Sequence, residues 1–214
     1  MRITHLGHAC VVVEVDDTRV LIDPGTLSSP KQATGLDALL FTHNHVDHLD
    51  VGAVSELLVT NPAAAVVADA GSAETLGKAG VADVRVVNSD TTARVDVAGI
   101  PVEATTVAHA TIHCDLPTPL NNAYVIAESV LHPGDAFWVP DHLVDVLLLP
   151  IGGPWMKLSE SIDYLRAVAP RVAIPIHQGG LAEAHRNLHC DLLRKLGPSG
   201  TEVRVLNHGE PTTV

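Results

Sequence analysis

A chain of 214 residues with 46% apolar content is long enough for one domain with a substantial core, read here as residues 1–214. Its formal net charge of −12, with no basic run beyond Arg194-Lys195, excludes a nucleic-acid groove, which needs cations to displace counterions. No apolar stretch reaches the roughly 18 residues that a membrane span requires, so neither nucleic acid nor a membrane is expected as a partner.

Strands are expected over residues 2–6, 10–15, 19–22 and 38–41, then a helix over 51–60 and a strand over 64–68. A short helix over 72–79 is ended by Gly80. Strands follow over 84–87, 94–97 and 100–107, with Ala98-Gly99 as a hairpin turn signal. The second half continues with strands at 122–127, 130–132 and 146–149. A helix over 159–169 has Ser159 as its expected N-cap and Pro170 just beyond it. A strand over 171–176, a helix over 182–196 closed by Gly197-Pro198, and a strand over 202–206 complete the chain.

The most informative stretch is Thr42-His43-Asn44-His45-Val46-Asp47-His48, three imidazoles and a carboxylate directly after the apolar run Ala38-Leu39-Leu40-Phe41. Residues two apart in an extended chain point the same way, so His43 and His45 can face one ion. Asp47 and His48 fall where the chain turns toward the next helix, and can face a second. Two ions roughly 3.5–4 Å apart form a hydrolytic device that needs a bridging ligand and further imidazoles. His109, Asp135 and His177 each lie just past an apolar strand, where α/β folds assemble their sites. Alone, such a histidine reads as a solvated loop residue. Beside the cluster it reads as a ligand, because crowding so many imidazoles without an ion is costly.

The pattern His43-x-His45-x-Asp47-His48, with His109, Asp135 and His177 in that order, resembles the metallo-β-lactamase fold superfamily over nearly the whole chain. Ile3-Thr4-His5-Leu6-Gly7-His8-Ala9-Cys10, Val20-Leu21-Ile22-Asp23-Pro24-Gly25 and His132-Pro133-Gly134-Asp135 resemble its small metal-dependent hydrolases, a subgroup that includes the ascorbate-6-phosphate lactonase-like proteins. The resemblance implies an α/β (α+β) fold, a four-layer αββα sandwich. It implies that His43, His45 and His109 hold one metal ion, that Asp47, His48 and His177 hold a second, and that Asp135 bridges them. Asp23 would stand behind the ligands and orient them by hydrogen bonds. The superfamily's redox diiron branch carries Glu where this chain has His45, which argues against an oxygen-reducing role.

The expected cofactors are therefore two divalent ions, zinc first, with manganese and iron also suited to imidazole and carboxylate donors. The expected chemistry is metal-dependent hydrolysis of a small ester-, lactone- or thioester-like molecule, with Asp47 and Asp135 as catalytic residues that anchor the water. A phosphodiesterase and a non-catalytic metal-binding protein are the alternatives. His8, His113 and His132 are weighed as leaving-group acids against a packed or supporting role. The loop 111–120, with Pro117 and Pro119, and the segment Gly152-Gly153-Pro154-Trp155-Met156 are expected pocket walls, Trp155 serving either as an exposed cover or as a core or contact residue. Cys114 reads as a buried small apolar residue or as a lining residue of the site. Three widely spaced cysteines without a C-x-x-C, and a start that leads straight into a strand pattern without a signal peptide, point to a cytoplasmic protein. A homo-oligomer is compatible with the resemblance.

Overall fold

The computed structural model describes residues 1–88 and 92–214. Its first half forms one mixed sheet from β1 (Arg2–Gly7), β2 (Cys10–Val15), β3 (Thr18–Ile22), β4 (Ala38–Phe41), β5 (Ala65–Ala68) and β6 (Val84–Val86). The second half forms the other sheet from β7 (Ala93–Val97), β8 (Ile100–Ala108), β9 (Leu120–Ile126), β10 (Val130–His132), β11 (Val146–Pro150), β12 (Val172–Ile176) and β13 (Glu202–Val203). The strand β14 (Thr212–Thr213) returns to pair with β1 at the edge of the first sheet. The helices are α1 (Val51–Thr60), α2 (Ala70–Lys78), α3 (Leu158–Val168) and α4 (Glu183–Leu196).

Alternation along the strands creates the layers. Val11, Val13, Val20, Ile22 and Leu40 point inward and meet Val102, Tyr124, Ile126, Leu148 and Ile174 of the opposite sheet. The intervening residues Val12, Leu21, Leu39 and Phe41 point outward onto Val54 and Leu57 of α1 and Leu76 of α2. On the other side Leu131, Leu147, Leu149 and Ala173 pack on Ile162 and Leu165 of α3 and Leu193 of α4. Three apolar layers separated by two sheets give the expected αββα sandwich. Each fully buried Leu or Ile contributes about 1.5–3 kcal/mol relative to exposure.

The hairpin signal Ala98-Gly99 folds with φ of 48° and 87°, the two positive values a tight two-residue turn demands. Most boundaries fall within one or two residues of expectation, and three differences have a clear cause. Helix α2 begins earlier, because Asp69 rather than a later residue accepts the Gly71 and Ser72 amides. Ser159 lies inside α3, and Lys157 occupies the N-cap, its amide held at 2.6 Å by the Glu160 carboxylate. The last expected strand shortens to Glu202–Val203, and β14 was illegible because two threonines carry no alternation. No helix among the described residues is long and apolar enough to cross a membrane.

Candidate dinuclear metal site

The functional side chains gather at one end of the sandwich, just beyond the ends of β1, β4, β8, β10 and β12. His109 and His177 each sit one residue past their strand, and His43 to His48 form the turn between β4 and α1. Gly25 makes this turn feasible, since a Cβ there would lie 1.8 Å from the Asp47 carbonyl oxygen. Gly134 does the same for Asp135: its φ is +62°, and a Cβ would meet Asn121 Oδ1 at 2.1 Å. Asn121 clamps this turn, accepting the Asp135 amide at 2.9 Å and donating to the Pro133 carbonyl at 2.8 Å.

Buried Asp23 orients two of the rings. Its carboxylate accepts the Thr42 amide at 2.8 Å, the Thr42 hydroxyl at 2.7 Å and His48 Nδ1–H at 2.7 Å. With its proton given to Asp23, the Thr42 hydroxyl accepts His43 Nδ1–H at 2.9 Å. His109 Nδ1 donates to the Ala110 carbonyl at 2.5 Å, and His177 Nδ1 donates to the Gly152 carbonyl. In all four rings Nδ1 bears a proton, so Nε2 is the atom that faces the interior, with a lone pair whenever the ring is neutral.

Those lone pairs converge on Asp135. Its Oδ1 lies 3.1 Å from His48 Nε2 and 3.1 Å from His177 Nε2. Its Oδ2 lies 3.3 Å from His109 Nε2 and 3.9 Å from His43 Nε2. Nε2 of His48, His109 and His177, with Oδ1 of Asp135, are buried and lack a well-aligned hydrogen bond among the described residues. Buried acceptors facing one another require a cation or a proton between them. Two groups of potential metal ligands result: His43, His45, His109 and Asp135 in one, His8, Asp47, His48 and His177 in the other. The donor set fits divalent ions of the zinc, manganese or iron type.

The electrostatics agree with this crowding. Burial opposes a charge on His48, but the Asp135 and Asp23 carboxylates together raise its pKa well above the ordinary value. Burial also opposes ionisation of Asp135, yet His48 and His177 hold it well below the usual carboxylate range. Asp47 is likewise lowered against its burial, by the hydrogen bond from His8 and the charge of His48. Burial pushes His43 and His45 down. Three non-glycine residues at the site, His8, Asp23 and His177, adopt left-handed φ of 51°, 47° and 59°. Backbone strain of this kind costs on the order of 1–3 kcal/mol and clusters at functional sites.

The profile of the beta-lactamase superfamily domain matches residues 2–177. The chain belongs to the beta-lactamase superfamily. It is 42% identical over 209 residues to a protein of Mycobacterium tuberculosis strain H37Rv, covering 95% of this chain and 96% of that one. A UPF0173 metal-dependent hydrolase of Aeropyrum pernix is 29% identical, with 98% of this chain and 96% of the relative covered. Among solved structures, the fold is shared with Igni18, a metallo hydrolase from Ignicoccus hospitalis, at a TM-score of 0.76 and 24% identity, covering 99% and 97% of the two chains. The chain thus stands among the metal-dependent hydrolases of the superfamily.

Several side chains take roles in this superfamily fold that the sequence did not reveal. Trp155 is no exposed cover: it is 7% exposed and its indole Nε1–H donates to Asp135 Oδ2 at 2.7 Å. Of the three weighed acids, only His8 reaches the cluster. Gly179 N–H donates to its Nδ1 at 3.1 Å, so the neutral ring carries its proton on Nε2 and donates it to Asp47 Oδ2 at 3.1 Å. Burial keeps this ring neutral by lowering its pKa. His8 therefore presents a donor where His48 and His177 present lone pairs, which separates it from them despite its proximity. His132 is wholly buried, donating to the Ala9 carbonyl at 2.9 Å and accepting the Gly134 amide at 3.1 Å. His113 and Cys114 are exposed on the loop after His109, apart from the cluster, so Cys114 is neither buried nor among the lining residues of the recess there.

Two recesses open beside the ligand groups. One of ≈ 330 Å³ adjoins His8, Asp47 and His177 and is walled by Gly152, Gly153 and Pro154. The other, of ≈ 210 Å³, adjoins His45 and His109 under the loop carrying Pro117 and Pro119. Both expected wall segments are therefore in place. Larger clefts of ≈ 590 Å³ along α4 and ≈ 650 Å³ beside Arg19 and Lys31 touch neither group of ligands.

Proposed function

We propose that this chain is a hydrolase of small ester-, lactone- or thioester-like substrates that works with two divalent ions. His43, His45 and His109 would hold one ion, Asp47, His48 and His177 the other, and Asp135 would be shared. The observation that carries this reading is the division of Asp135, whose Oδ1 faces His48 and His177 while its Oδ2 faces His109 and His43.

Bound there, such ions would lower the pKa of water toward neutrality and polarise a carbonyl oxygen. The side chains supply position. Asp135 and Asp47 present carboxylate oxygens at the centre of the site, and both stay ionised at neutral pH. Asp23 and Thr42 fix the rings of His43 and His48, and the Gly152 carbonyl fixes His177. His8 holds Asp47 from the side of the larger recess.

Replacing Asp135 with Ala removes the shared ligand and leaves four imidazoles around an unfilled space. The variant is expected to lose hydrolytic activity and to purify depleted in metal. Full activity with full metal would overturn the assignment.

A further inference from the structure

The walls around the ligands carry almost no charge. In the recess beside His8, Asp47 and His177, the remaining lining is Leu27, Leu181, Pro154 and the glycines 152, 153 and 180. In the recess beside His45 and His109 it is Ala110, Ile112, Leu116, Pro117, Thr118 and Pro119. No Lys or Arg lines either recess among the described residues. The exposed part of the lining is apolar as well: Leu27, Ile112 and Leu116 are 49%, 42% and 52% exposed. Exposed apolar side chains gathered at the mouth of a site mark the surface a ligand covers.

We propose that the substrate is an uncharged open-chain ester or thioester with a short apolar arm on each side of the scissile bond. This rests on the hydrolase reading above and names its substrate class. Two recesses flank the ligand groups, one beside each, so a linear molecule placed across the cluster lays one arm in each. Their volumes, ≈ 330 and ≈ 210 Å³, lie at or below the low end for drug-sized ligand pockets, which suits short arms. A phosphate or carboxylate on either arm would lose its hydration against leucine and proline, with no guanidinium or ammonium to receive it. The chain's net charge of −12 adds general repulsion of anions. In the reaction, the acyl C–O or C–S bond breaks and water supplies the new C–OH bond. One water proton leaves with the alcohol or thiol, and the acid product ionises.

Gly180 offers a clean probe. Gly180 lines the larger recess, and a Cβ added there meets nothing within 4 Å, so Gly180→Leu adds apolar bulk at its wall without a backbone clash. The experiment compares p-nitrophenyl butyrate with the mono-p-nitrophenyl ester of glutaric acid, which carries a carboxylate at the end of a similar arm, on the metal-loaded protein. The expected kcat/KM ratio favours the neutral ester by at least about tenfold. Gly180→Leu is expected to lower turnover of the butyrate by about tenfold or more while sparing the acetate. Leu181→Arg is expected to narrow the preference for the neutral ester.

A second readout needs no turnover. Amide shifts of Gly152, Gly153 and Gly180 are followed by NMR on the metal-free protein during titration with 2-hexanone and with 5-oxohexanoate. The neutral ketone is expected to move them and the anion to leave them unmoved. Equal or stronger response to the anionic partner in either assay would overturn the proposal. Selective binding of the ketone without hydrolysis of any ester would uphold the pocket chemistry and sink the hydrolase reading instead.

Discussion

Trp155 Nε1 and Asp135 Oδ2 are joined by a 2.7 Å hydrogen bond, in a chain where these residues are twenty positions apart. The carboxylate that faces both ligand groups is thereby held by a neutral donor from the loop after β11. The indole also stacks edge-on near His109 and His177, at 6.0 and 5.6 Å between ring centres. Trp155 thus fixes which Asp135 oxygen faces which group.

Replacing Trp155 with Phe keeps most of the packing against Phe137 but removes the donor. Loss of a hydrogen-bond partner behind a metal ligand typically costs about 10- to 100-fold in metal affinity. A competition titration against a chromogenic chelator is expected to show a loss of that size with little change in thermal stability. Unchanged affinity would show that Trp155 serves only as packing.

His8 presents a proton, not a lone pair, to Asp47. Substituting Leu, which has no donor, is expected to leave metal stoichiometry intact while kcat falls by about 10- to 100-fold, the usual cost of removing the hydrogen-bond partner of a metal-binding carboxylate. Loss of one metal equivalent in His8→Leu would instead make His8 a ligand, and the proton assignment from Gly179 would be wrong.

His5 lies behind the site, buried, with Nε2 donating to the His8 carbonyl at 2.9 Å. Burial, only partly offset by that bond, pushes its pKa down to about 4 from 6.5. The folded ring stays neutral where the unfolded ring binds a proton, so stability is full above about pH 6.5 and declines as pH falls toward 4. The loss attributable to His5 reaches at most roughly 3 kcal/mol. Urea midpoints of the chelator-treated protein at pH 7 and 4.5 are expected to fall further apart in the natural protein than in His5→Gln. Equal pH dependence in the two would remove His5 from the account.

The same comparison of ring environments explains what the sequence disclosed. The run from His43 to His48 was legible because an apolar strand rarely ends in such a polar cluster unless something binds there. His109 and His177 were legible as the residues just past their strands. His132 looks similar on paper, yet it is the last residue within β10 and its ring turns into the interior toward Ala9. Pleat direction, not proximity to a strand end, separates it from the others. Trp155 and His8 were harder for different reasons. The contact of Trp155 depends on how a loop folds back over Asp135, and the role of His8 depends on a proton fixed by Gly179, which is remote in the chain. The apolar layers were readable almost strand by strand from alternation, whereas β13 and β14 were too short to carry a period.

The central claim is that seven side chains hold two ions with Asp135 shared. Elemental analysis of protein purified without added metal or a chelating tag tests it most directly. The account predicts close to two equivalents per chain, falling sharply in Asp135→Ala. No metal, with none taken up on addition, would contradict the ligand assignment, and about one equivalent would contradict the sharing of Asp135 between two ions.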